Sequence, residues 1–84
     1  MHNLRIERPA ERDLKHLEGD VRARVIAAIR TLPENPYPNG CRKLAGSTAD
    51  WRIRVGDYRI IYEIDKTART IVITRIRHRR EVYR

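Results

Sequence analysis

Cysteine is nearly absent from these 84 residues; Cys41 stands alone, which excludes an internal disulfide and a multi-cysteine metal site. Long apolar runs are missing too. The longest, Val25 to Ile29, is far too short to span a bilayer, and the N-terminus lacks the apolar stretch of a signal peptide. The expectation is a cytoplasmic protein with no membrane partner. Internal repeats, low-complexity tracts and dividing linkers are also lacking, so residues 1–84 are read as one domain. Acidic residues are scarce: 11 Asp and Glu face 19 Lys and Arg, a formal charge of +8. That imbalance favours encounter with a phosphate-bearing or acidic partner. No spacing suits a metal site, a nucleotide-binding glycine loop or a Ser-His-Asp set, so no cofactor is expected and any catalysis should be metal-independent.

What is present is organised around Trp51 to Asp65, which reads W-R-I-R-V-G-D-Y-R-I-I-Y-E-I-D. Two alternating runs flank Gly56-Asp57, a dipeptide suited to a two-residue hairpin turn. A tight turn pairs Val55 with Tyr58, Ile53 with Ile60 and Trp51 with Tyr62, which makes one face apolar. The other face then sets Arg54 opposite Arg59, with Arg52 beside Ile61. Like charges placed opposite each other destabilise a sheet. Their retention points to a polyanion lying between them.

The flanking segments supply a cover for the apolar face. Asn3 to Glu7 alternates as a short strand. Pro9 suits the first turn of a helix carrying Ala10, Leu14 and Leu17 on one side. Gly19 is expected to stop that helix and Asp20 to cap the next. The second helix shows a stripe of Val21, Val25, Ala28, Ile29 and Leu32, with Arg22, Arg24 and Arg30 largely off it as a solvated face. Pro33 to Gly40 is an irregular connection, with Tyr37 as its packing anchor. Leu44 is expected to plug the core, with Lys43 at its rim.

Thr70 to His78 reads as a last strand. Pairing Ile64 with Thr70 would carry the core face through Tyr62/Val72, Ile60/Thr74 and Tyr58/Ile76, and the basic face through Arg59/Arg75 and Asp57/Arg77. A slip of one residue would turn Arg75 and Arg77 inward at high cost. The fold class is therefore α+β: a helix hairpin packed on one face of a small, mostly antiparallel sheet, in the order β-α-α-β-β-β.

Arg52, Arg54, Arg59, Arg75 and Arg77 would form a cluster of fork-shaped donors for phosphate oxygens. Arginine is a poor proton shuttle, with a pKa above about 12, but it can stabilise a phosphorane-like transition state. RNA cleavage by a neighbouring 2′-hydroxyl also needs a base and an acid. Tyr83, lowered by nearby cations, and His78 are the candidates for proton work; Glu81 is a third.

Lys43-Leu44-Ala45-Gly46, the hairpin sequence and the terminal R-H-R-R-E-V-Y together resemble the RelE/ParE superfamily of bacterial toxins, and the RelE branch in particular. The hairpin is shared across the superfamily, whereas the basic tail with its tyrosine favours RelE. The resemblance implies a ribosome-dependent mRNA endoribonuclease that cuts the A-site codon through 2′-hydroxyl attack. It implies transition-state stabilisation by Arg59, phosphate contact by Arg52 and Arg54, a catalytic arginine at Arg77 with Arg79 as its rival, and codon stacking and general-base action by Tyr83. Lys43, Arg75, His78, Arg79 and Arg80 are the expected further RNA contacts. An acidic RelB-like antitoxin, forming a toxin–antitoxin hetero-oligomer, is the implied partner beside ribosome and mRNA. Arginine stands at 52 and 54 where relatives often carry lysine, and the C-terminal helix of some relatives is expected to be missing. Two alternatives stay open: a ParE-like, non-enzymatic gyrase inhibitor, and a basic RNA-binding domain without activity.

Overall fold

The computed structural model describes residues 1–44 and 50–82. Five strands form one sheet in the order β1-β5-β4-β3-β2, from β1 (Asn3–Ile6), β2 (Arg42–Lys43), β3 (Asp50–Val55), β4 (Tyr58–Asp65) and β5 (Thr70–His78). Helices α1 (Arg8–Lys15) and α2 (Gly19–Thr31) cover one face, and a short helix α3 (Arg79–Val82) follows β5. Among the described residues, only β1 and β5 run parallel.

The helical stripe performs as its spacing requires. Ala10, Leu17, Val25, Ile29 and Leu32 meet Ile53, Ile60, Tyr62, Ile71, Ile73 and Ile76 in one core. Leu44 is half-buried, its N–H donating to the carbonyl of Asp50. Gly19 and Asp20 do not stop and cap; both lie in the first turn of α2, whose N-cap is Glu18 in an extended conformation. Arg22 is not simply solvated either. Its Nε donates to the Leu14 carbonyl, which also accepts the Leu17 N–H, and its Nη2 donates to the Leu17 carbonyl, at 3.1 and 2.8 Å, tying α2 to the end of α1.

The β3–β4 hairpin has the expected register at every pair from Asp50/Glu63 to Val55/Tyr58. Gly56 adopts φ +59 while Asp57 does not share the positive φ, the pattern of a II′ turn, whose first central position favours glycine. The β4–β5 register differs from the expected one. Asp65, rather than Ile64, pairs with Thr70, and the pairing runs on through Tyr62/Ile73. An irregularity between Ile61 and Tyr62 then accommodates Thr74 as an extra residue, and Ile61/Arg75, Ile60/Ile76, Arg59/Arg77 and Tyr58/His78 follow. The Thr74 hydroxyl donates to the Ile61 carbonyl at 3.1 Å. A β-bulge thus allows the slip without its cost: Arg75 and Arg77 keep the outer face and Ile71, Ile73 and Ile76 keep the core. Val72, expected in the core, lies opposite Glu63 on the outer face.

Asp13 ties α1 to β5 beyond the end of β1. Its carboxylate accepts from the Ile76 N–H at 2.9 Å and from Nε and Nη2 of Arg75 at 2.8 and 3.2 Å. At the other end, the Tyr62 hydroxyl donates to the Pro36 carbonyl at 2.7 Å and anchors the proline-rich loop. Tyr37 in that loop meets Trp51 edge-to-face with ring centroids 5.0 Å apart, as its anchoring role requires.

Candidate active site

On the uncovered face, cross-strand pairing lines up Arg54, Arg59 and Arg77 over three adjacent strands. A second row sets Arg42 opposite Arg52. Neighbouring strands are about 4.8 Å apart, so these side chains form a compact cationic patch. Gly40, Arg42, Arg52, Arg54 and Arg59 line a cleft of about 240 Å³. Arg59, at the middle of its row, is only 7% exposed, so its charge acts where water screens it little. Its Nη1 and the Nε of Arg77 are buried and donate no hydrogen bond among the described residues, although both side chains interact elsewhere. Arg54 is exposed, and its Nε donates to the Gly56 carbonyl at 3.0 Å, which steadies it against the turn.

The structure divides the expected site residues. Arg52, Arg54, Arg59 and Arg77 come together. Arg75 shares their strand parity, but its guanidinium turns to Asp13. Lys43 pairs with Trp51, on the opposite parity from Arg42. His78 pairs with Tyr58, so it points to the helix side of the sheet rather than towards Arg59 and Arg77. Arg79 and Arg80 are exposed in α3, past the strand end. The expected absence of a terminal helix is corrected by that turn, whose first N–H donates to the Asp57 carbonyl at 2.8 Å. Tyr83, Ala45 and Gly46 lie outside the described residues, and no side chain is described for Glu81.

Arg42 is the cleft arginine that sequence reasoning missed. A two-residue strand has no periodicity to read, and only its pairing with Arg52 discloses its face. The same face also holds Asp50 directly opposite Glu63. Burial raises the Glu63 carboxyl above its ordinary value, with repulsion from and hydrogen bonding to Asp50 adding to the shift. Burial likewise pushes the Tyr62 phenol up, so this core tyrosine is no proton acceptor near neutral pH.

A family model described as the ParE toxin of the type II toxin–antitoxin system matches residues 4–83. The chain belongs to this family. Among relatives, it is similar to toxin RelG of Mycobacterium tuberculosis, 36% identical over 99% of this chain and 97% of that one. Its fold resembles the toxin in a RelBE toxin–antitoxin complex from Mycobacterium tuberculosis, with TM-score 0.81, 29% identity, and coverage of 92% of this chain and 96% of that one. It also resembles a chain of the RelB–RelE antitoxin–toxin complex from Methanococcus jannaschii, with TM-score 0.77, 30% identity and 94% of each chain covered. This RelE-family toxin therefore presents its arginine cleft on a scaffold shared with those toxins.

Proposed function

We propose that this toxin is a ribosome-dependent mRNA endoribonuclease that cuts the A-site codon in the cytoplasm by metal-independent attack of a 2′-hydroxyl on the adjacent phosphorus. The observation that carries this reading is the cleft of guanidiniums centred on the nearly buried Arg59. In the attack, the 2′-oxygen bonds to phosphorus, the P–O5′ bond breaks with the 5′-oxygen taking a proton from water, and a 2′,3′-cyclic phosphate remains. Arg59 and Arg77 stabilise the charge that accumulates on the non-bridging oxygens, and Arg42, Arg52 and Arg54 hold the scissile phosphate. Tyr83 takes the 2′-hydroxyl proton as tyrosinate, favoured by the cations of the tail. Arg79 and Arg80 steer the neighbouring backbone. A RelB-like acidic antitoxin is the regulatory partner, consistent with the RelB–RelE complexes among the structural neighbours and with the +8 charge.

The test uses ribosomes with a filled P site and an empty A site. Mapped mRNA 3′ ends should show one cut inside the A-site codon, lost with Tyr83→Phe and lost when the attacking 2′-hydroxyl is replaced by hydrogen. The ParE description of the matching family model favours a second reading, gyrase inhibition. Intact mRNA together with blocked supercoiling would establish that one instead.

A further inference from the structure

We infer that His78 is a positioning residue that sets the direction in which the tail carrying Arg79, Arg80 and Tyr83 leaves the sheet. The consequence for catalysis rests on the endoribonuclease reading; the positioning itself does not. His78 is the last residue of β5 and pairs with Tyr58. Strand parity turns its ring away from Arg59 and Arg77, so it cannot relay a proton at the cleft from there. Instead its Nδ1 accepts the backbone N–H of Arg80 at 3.2 Å. This contact, two residues along the chain, is the imidazole counterpart of the side-chain caps by which Asn and Asp start turns. An accepting Nδ1 places the ring proton on Nε2.

The ring is oriented by a neighbouring side chain rather than by close packing. It stands edge-on to Tyr58, with centroids 5.2 Å apart and planes at 89°. Behind it lies a recess of about 220 Å³ bordered by Asp13, His16, Leu17, Tyr58 and Ile76. The ring is therefore oriented by Tyr58 and by the Arg80 N–H rather than wedged by the helices. On the other flank, the Arg79 N–H donates to the Asp57 carbonyl at 2.8 Å. The first two amides beyond β5 are thus held, one by the hairpin turn and one by His78. Release of the second removes one of the two backbone bonds described at the start of the tail, and small misplacements of a reacting group cost large factors in rate.

The experiment compares His78→Leu, which keeps bulk and loses the acceptor, with His78→Asn, which restores an acceptor oxygen near the Nδ1 position. Both are made in the full chain, alone and with Tyr83→Phe, and global melting is followed as the folding control. Amide hydrogen exchange at Arg80 should speed up in the Leu variant and stay near the parent rate in the Asn variant. Single-turnover cleavage at saturating programmed ribosomes should fall about tenfold or more with Leu and recover with Asn. In the Tyr83→Phe background the Leu change should cost little further, because the group it positions is already disabled. Unchanged Arg80 exchange in His78→Leu, or an Asn variant as impaired as Leu, would overturn the proposal. Equal losses with and without Tyr83 would overturn its route through the tail. If the parent does not cleave at all, the endoribonuclease reading fails, while the exchange comparison still decides the positioning.

Discussion

Arg59 concentrates the chemistry because its neighbours are also arginines. Arg54 lies opposite it on one strand and Arg77 on the other, an arrangement that opposes folding and favours an anion. Under the proposed reaction, Arg59→Ala should lower single-turnover cleavage by about 10²–10³-fold, the scale of losing one preorganised donor. A melting curve should show the variant still folded. Cleavage within a few-fold of the parent would remove Arg59 from the transition state. The outer face also carries the like-charged pair Asp50 and Glu63. Because the folded-state pKa of Glu63 is raised above its ordinary 4.5, the native state holds this proton more tightly than the unfolded chain. Its contribution is complete below 4.5 and is lost as pH climbs through the raised value. Glu63→Gln should abolish that loss and stabilise the protein at neutral pH by about 0.5 kcal/mol, the usual scale of a cross-strand like-charge pair. Urea titrations of both proteins at pH 4 and 7 check the sign: the gain must be larger at pH 7.

At the scale of elements, β5 does the most with the least local signal. The Gly56-Asp57 hairpin was legible because alternation runs unbroken on both sides of one turn dipeptide. The helix pair was legible from its apolar stripe, as were Arg52, Arg54 and Arg59 of the cleft, with Arg77 beside them, from strand parity. The β4–β5 register was not, because a bulge changes pairing in mid-strand, and Thr74 is neither apolar nor charged enough to betray its place. Arg42 stayed hidden because two residues have no period, and the turn of the Arg75 guanidinium away from the cleft depends on Asp13, which is distant in sequence. Thr74→Val tests the bulge directly. It leaves the Ile61 carbonyl without that hydroxyl and should cost about 1 kcal/mol in denaturant unfolding. Asp13→Ala removes acceptors from both the Ile76 N–H and Arg75, and should cost about 2 kcal/mol. Asp13→Asn should recover part of it. Unchanged stability in Asp13→Ala would mean that α1 is held to β5 by the core alone.

For the whole molecule the excess charge and the cleft act on different steps. The +8 charge is spread over both helices, the sheet and the tail, so it works at a distance on encounter and is screened by salt. Arg59, only 7% exposed, works at contact, where salt reaches poorly. The two should therefore separate in a titration of monovalent salt on programmed ribosomes. If about three phosphates are neutralised on binding, the logarithmic slope of affinity against salt is near −2 for a single strand, and a fourfold rise in salt weakens binding roughly twentyfold. The saturated single-turnover rate should change by less than about threefold over the same range, since little of the transition-state contact is open to screening. Arg30→Ala, on the exposed side of α2, should flatten the binding slope slightly and leave the saturated rate alone. A saturated rate that falls in parallel with affinity would show that the cleft itself is filled by solvent ions, and would locate the catalytic charge on the surface rather than in the row around Arg59.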